Sequence, residues 1–193
     1  MVLSLVIISV VAAGALAGVY LLTLEVINAQ KAAKQQEAIL AVLPQGVTIS
    51  ETEEVDGLTV YRATLNGEPA GAAVETQADG FGGVQKIMVG FEADGTIHDY
   101  VVLEHQETPG LGDKIVDWFK NSDKAGQNII GRKAGAFQVS KDGGDVDAIT
   151  AATISSRAFL NAVNKAYVAF HAGEVEAVTS ASQLHKEKEA DHE

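Results

Sequence analysis

Two short stretches of the sequence hold residues whose types and spacing can do chemistry. The first is Asp147-Ala148-Ile149-Thr150-Ala151-Ala152-Thr153-Ile154-Ser155-Ser156-Arg157. It stands where a loop enters a long helical pattern. Thr150 reads as the helix N-cap, which places Thr153 in the first turn. Backbone N–H groups there lack helical partners and the helix dipole favours negative charge, so a phosphate is stabilised at such a spot. Ala151 and Ala152 leave room for a group to approach the backbone. The hydroxyls of Thr150, Thr153, Ser155 and Ser156 crowd the same turn, and Arg157 adds a cation. The same residues also read as ordinary caps followed by good helix formers, and spacing alone leaves both readings open.

The second stretch is His105-Gln106-Glu107-Thr108-Pro109-Gly110-Leu111-Gly112-Asp113-Lys114. It follows a strand pattern and precedes a short helical one. Pro109-Gly110 fits a turn whose third residue needs a positive φ, and Gly112 permits a second close approach of the backbone. Taken by itself it is a structured connection. His105 reads as no more than the end of the strand.

Other chemistries are excluded by composition. The chain of 193 residues has no cysteine, which removes disulfides, Cys-ligated iron–sulfur clusters, Cys-type zinc sites, thioether haem and thiol nucleophiles. None of its five histidines stands in an HExxH or HxH pair, so no metal site is expected. The formal net charge of −12 argues against nucleic acid as a partner. A stand-alone hydrolase built on the hydroxyl cluster lacks a base nearby in sequence and a G-x-S-x-G elbow.

The elements that must position these residues are legible in outline. Val2 to Leu24 carries no charge over 23 residues. At the helical rise this is about 34 Å, enough to cross a hydrocarbon core of ~30 Å. A cleaved signal peptide would want a basic start and a shorter apolar run, so a retained transmembrane helix over 1–24 is expected. Gly14 and Gly18 form a GxxxG pair, which fits either a helix-packing face or the ordinary composition of such helices. Residues 25–46 read as a helical stalk, rich in Ala, Gln, Lys and Glu and closed by Pro44 and Gly46. From Val47 the pattern turns to strands: Leu58–Leu65, Ala70–Thr76, Val84–Phe91, Thr96–Glu104 and a short Phe137–Val139. Gly112–Phe119 is expected as a short helix, and Ala152–His171 as the longest helix of this part, with Phe159, Val163, Ala166 and Phe170 on one face. Residues 174–193 are expected as a polar, mobile tail. The fold class is α+β: a single transmembrane helix and stalk, then a domain over 47–173 with a bent antiparallel sheet packed against helices.

Together the two stretches resemble the FMN-binding domain family. Asp147, Thr150, Ala151, Ala152 and Thr153 match its flavinylation motif Asp-x-x-(Ser/Thr)-(Gly/Ala)-Ala-Thr, with Ala151 where glycine is common. Glu107–Lys114, ETPGLGDK, is similar to the companion signature. Within the family the nearer likeness is to G subunits of Rnf electron-transport complexes, which also have one N-terminal transmembrane helix and a stalk. C subunits of the sodium-pumping NADH:quinone reductase are the second likeness.

The resemblance implies a covalent FMN joined through its phosphate to Thr153. Asp147, Thr150, Ala151, Ala152, Ile154 and Ser155 would surround the attachment point. Glu107, Thr108, Pro109, Gly110, Leu111 and Gly112 would lie against the flavin ring or ribityl chain. No residue of the chain is implied as catalytic, because the ring carries the redox chemistry. The implied role is an electron carrier, without stand-alone activity, in an ion-translocating ferredoxin:NAD+ oxidoreductase. The implied partners are the other membrane and peripheral subunits, a flavin transferase and the lipid bilayer. The implied location is the bacterial inner membrane, single-pass, with the flavin domain outside the cytoplasm. Lys31 and Lys34 after the helix point the other way under the positive-inside rule, but long domains translocate largely regardless of charge. An anchored FMN-domain sensor or scaffold without redox work is the alternative from a different class.

Overall fold

The protein is described by a computed structural model that covers the backbone of residues 2–190 and the side chains of residues 2–172. Helix α1, Val2–Ala41, is uninterrupted. The apolar segment and the expected stalk join without a break, because the residues from Glu25 onward are strong helix formers. The helix ends shortly before Pro44, whose ring disfavours helical backbone in the residue before it. Its large apolar side chains from Val2 to Leu22 are exposed, and among the described residues it is the one helix long and apolar enough to cross a membrane. It fits a single-pass membrane protein.

The chain divides into two compact units, Met1–Glu37 and Ala38–Glu193. The second unit is built on an antiparallel meander of five strands in sequence order: β1 (Thr48–Val55), β2 (Leu58–Leu65), β3 (Glu68–Asp79), β4 (Val84–Glu92) and β5 (Ile97–Glu104). Two hairpins close through two-residue loops, Asp56-Gly57 and Asn66-Gly67, with positive φ at both residues of each. That geometry matches the strand twist and selects Asn, Asp and Gly. Strand β1 escapes recognition from pattern because TISETEEV is mostly polar; it is an exposed edge strand. Bulges between Ile49 and Glu51, Ala63 and Thr64, Lys86 and Ile87, and Gly90 and Phe91 bend the sheet.

Both faces of the sheet are covered. On one face Val60, Val74, Val89 and Tyr100 stand in one cross-strand row, all fully buried. Helix α2, Thr153–Ala190, packs over this face. Its buried side is the expected row of Phe159, Val163, Ala166 and Phe170. Phe159 stacks on Phe119 at 4.6 Å and Phe170 meets Phe91 at 5.2 Å between ring centroids. Each such side chain contributes roughly 1.5–3 kcal/mol by burial. On the opposite face Ala63, Ala73, Met88 and Leu103 pack with Ala38, Ile39, Val42 and Leu43. Gly90 makes this possible, since a Cβ there would lie 1.8 Å from the Val42 carbonyl oxygen.

Three elements differ from expectation. Gly112–Phe119 is not one helix but two 3-10 turns, Gly112–Val116 and Trp118–Lys120. Phe137–Val139 forms no strand, only an isolated bridge from Val139 to Val146. Both segments are too short to offset the entropy cost of a regular element and are held by side-chain packing instead. Residues 174–190, expected as a polar tail, continue α2, in keeping with their Glu, Lys, Gln and Ala content. Side chains from residue 173 onward, and residues 191–193, lie outside the described residues.

Candidate functional site

The two stretches singled out in the sequence meet in space. Between them lies a cleft of about 420 Å³, lined by Phe81, Glu107, Thr108, Leu111, Gly112 and the run from Ala151 to Ser155. Phe81, Leu111 and Ile154 form an exposed apolar rim. Glu107 is the charged residue of the lining.

Local chain geometry sets the helix entry. Ala152 N–H donates to the Ile149 carbonyl at 3.0 Å, closing a turn in which Ala151 takes a φ of 62°. Ala152 then stands at the N-cap, since its carbonyl accepts from Ser156 N–H at 3.0 Å. Thr150 is therefore not the cap, contrary to expectation; the left-handed residue at 151 inserts a turn between it and the helix. An alanine cap has no side-chain oxygen to offer the first-turn N–H groups. The start of α2 consequently faces the cleft with its backbone donors uncapped by its own side chain.

The hydroxyls of the turn separate into different tasks. The Ser156 hydroxyl donates to the Ala152 carbonyl and accepts from Ile149 N–H, both at 3.0 Å. Ser155 is buried and donates to Glu107 Oε2 at 2.6 Å. Thr150 is exposed and outside the cleft lining. Thr153, half-buried at the first position of α2, lines the cleft, and Lys141 Nζ reaches its Oγ1 at 3.4 Å. Arg157, the expected cation, is committed elsewhere: its Nε and Nη2 each donate at 2.6 Å to the two oxygens of Asp142. This pairing holds the Asp142 carboxyl below the ordinary carboxylate range and raises the arginine further.

Glu107 joins three segments of chain. Its Oε1 accepts from Phe81 N–H at 3.1 Å and from Gln85 Nε2 at 2.7 Å, while Oε2 takes the Ser155 hydroxyl. Gln85 Nε2 also donates to the Ser155 carbonyl at 3.2 Å. The loop can close round this carboxylate because two neighbours are glycines. A Cβ on Gly80 would lie 1.9 Å from Oε1, and one on Gly112 would lie 2.4 Å from Oε2. Thus Glu107 and Ser155 secure the cleft floor to the start of α2. The 108–111 turn closes through Leu111 N–H to Thr108 carbonyl at 3.1 Å, with Gly110 at a φ of 79°, as the Pro-Gly pair predicts. Pro109 and Gly110 sit at its exposed tip, outside the lining. His105 Nδ1 accepts from Glu107 N–H at 3.3 Å, a local brace. Burial holds the Tyr100 hydroxyl well above the usual tyrosine range, and it donates to the Ile115 carbonyl at 2.8 Å, fixing the turn that follows Gly112.

Asp147 lies outside the cleft. Its carbonyl accepts from Trp118 Nε1 at 2.8 Å, and its Oδ1 accepts from the Ser140 hydroxyl at 3.0 Å. Reasoning from the sequence missed Phe81, Gln85, Ser140 and Lys141. For Phe81 a signal existed: a large aromatic set among Gly80, Gly82 and Gly83 is a poor core residue and a natural rim. Nothing local marks the other three.

The FMN-binding domain family model matches residues 80–168, which contain every residue of the cleft. The G subunit of the ion-translocating oxidoreductase complex of Vibrio atlanticus is 37% identical over 170 residues, covering 79% of this chain and 80% of that protein. Its counterpart in Aliivibrio fischeri ES114 is 36% identical over 162 residues, 71% of this chain and 75% of that one. The Escherichia coli K12 counterpart is 44% identical over 112 residues, which span 55% of this chain and 53% of its own length.

Proposed function

The chain belongs to the G-subunit family of ion-translocating oxidoreductase complexes, and on that premise we propose that it carries FMN on Thr153 and passes electrons within such a complex. The cleft suits the group. An apolar rim of Phe81, Leu111 and Ile154 offers faces for a flat ring, the glycine-permitted loop at Gly112 allows backbone contact, and the start of α2 offers N–H donors to a phosphate. When bound, the isoalloxazine ring supplies the electron transfer; the chain supplies attachment, orientation and exclusion of water.

The observation that carries the covalent reading is the placement of Thr153. Among the hydroxyls of the turn, Ser155 and Ser156 are engaged with protein partners and Thr150 lies outside the lining. Thr153 is left at the junction of the cleft and the uncapped helix start. A flavin transferase would make the phosphoester bond and would read Asp147 and the Thr150–Thr153 turn. Glu107 and Ser155 would hold the floor against the ring, with Thr108 and Leu111 beside it. The complex would move electrons between ferredoxin and NAD+ and couple this to ion transport, with the flavin domain outside the cytoplasm.

The test uses the full chain made together with an active flavin transferase, denatured and run on a gel. Wild type is expected to fluoresce as a flavoprotein, and Thr153→Ala is expected to be dark. A fluorescent Thr153→Ala band, or a dark wild-type band beside a labelled control protein, refutes attachment at this residue.

A further inference from the structure

We infer that Lys141 is the cation that pairs with the flavin phosphoryl group at Thr153; this rests on the reading of Thr153 as the attachment point. Lys141 is the middle residue of the 3-10 turn Ser140–Asp142, and both of its neighbours are tied down. On one side Ser140 N–H donates to the Val146 carbonyl at 2.8 Å, and the single hydroxyl proton is shared between that carbonyl and Asp147 Oδ1, each 3.0 Å from Oγ. On the other side Asp142 takes two hydrogen bonds from Arg157 on the first turns of α2. With both flanking side chains engaged, the lysine is the one left to extend, and its Nζ lies 3.4 Å from Thr153 Oγ1.

The electrostatic need is specific. Among the described residues, the lining of the cleft contains no lysine or arginine and one carboxylate, Glu107, in a chain of formal net charge −12. A phosphoryl group on Thr153 therefore meets the N–H groups of α2 and one nearby ammonium, and Arg157 is already neutralised by Asp142. This also gives Asp147 a task. It touches neither the cleft nor Thr153, and it acts through Ser140 as a positioning residue for the turn that presents Lys141.

Joining a hydroxyl to a free phosphate is a dehydration, so the flavin phosphoryl group must arrive as a phosphoanhydride, of which a flavin dinucleotide is the class. The bond from Thr153 Oγ to phosphorus forms, the P–O bond of the anhydride breaks, and the nucleoside monophosphate leaves with the electron pair. The hydroxyl proton passes to a base of the transferase. Lys141 stabilises the charge on the non-bridging oxygens through this displacement and afterwards.

The experiment follows attachment to the purified full chain in detergent, with the transferase and flavin adenine dinucleotide, by gel fluorescence over time and at varied chain concentration. Lys141→Met is expected to lower kcat for labelling about fivefold to tenfold at low salt, the range for one charge-assisted hydrogen bond discounted for solvent screening. The gap narrows as salt is raised. Lys141→Arg restores most of the rate. Lys165→Met, three turns further along α2, labels as wild type. Equal kcat for wild type and Lys141→Met overturns the inference while leaving Thr153 as the attachment point. So does a change confined to KM, which would place the lysine against the transferase instead. A wild-type chain that takes no label beside a labelled control overturns the reading of Thr153 and this inference together.

Discussion

Gly112→Ala probes whether the cleft floor depends on the Glu107 carboxylate. Gly112 has no positive φ, so alanine meets no backbone penalty there. Its added methyl would lie 2.4 Å from Glu107 Oε2, 2.8 Å from Ser155 Oγ and 3.0 Å from Glu107 Cβ. The carboxylate has no slack, because Oε1 is held by Phe81 N–H and Gln85 Nε2. Something must move, and the 2.6 Å bond from Ser155 to Oε2 is the contact directly in the way. Overpacking of a filled site costs about 1–3 kcal/mol. Loss of a hydrogen bond to a charged acceptor costs about 1.5–3 kcal/mol. The two overlap, so the expected loss is about 3 kcal/mol, or roughly 6–12 °C in the midpoint of a unit this size. The assay is thermal unfolding of the full chain in detergent, followed by near-ultraviolet circular dichroism. Glu107→Ala removes the nearest contact and frees the Ser155 hydroxyl, no longer bonded to Oε2, to rotate away from its 2.8 Å approach, so Gly112→Ala added to it should cost clearly less than in wild type, and the cycle should show strong coupling. A Gly112→Ala protein as stable as wild type, or the same loss in both backgrounds, would refute the argument.

Two further predictions concern the entrance to α2. Ala151 holds a φ of 62°, which costs an L-residue about 1–2 kcal/mol, so Ala151→Gly should raise stability by about 0.5–1 kcal/mol after the entropy of glycine in the unfolded chain is deducted. A melting midpoint that falls instead would show that the turn is not strained. The Asp142 carboxyl is held low mainly by the hydrogen bonds from Arg157, so its stabilising effect is complete above the ordinary carboxylate range and is lost as pH falls through its lowered value. Titration by carboxyl-carbon NMR should show Asp142 moving up to the ordinary range in Arg157→Met; an unchanged titration would break the assignment of that pair.

Much of this molecule is written locally. An uncharged run of 23 residues is long enough to span a bilayer whatever follows it. Asn66-Gly67 and Asp56-Gly57 specify their turns because few other residues accept positive φ. The helical period of Phe159, Val163, Ala166 and Phe170 declares the buried face of α2 before any partner is known. The two motif stretches mark where a ligand would be sought, since each is a backbone arrangement encoded within a dozen residues. Edge strand β1 was hidden because an exposed strand needs no apolar alternation.

What tertiary structure decided was the division of labour among those motif residues. Four hydroxyls in one turn look equivalent in the sequence, yet Ser155 is taken by Glu107, 48 residues away, and Thr153 is left to the cleft. Arg157 stands four residues beyond Thr153 and turns to Asp142, while Lys141, from a separate turn, approaches the threonine. The cap moved from Thr150 to Ala152 because one residue took a left-handed conformation, which propensity for alanine does not foresee. Propensity and periodicity act over a turn or two of chain. Hydrogen bonds to Glu107 and the cation at Thr153 form only when distant segments are packed, and that packing is set by the summed burial of the core.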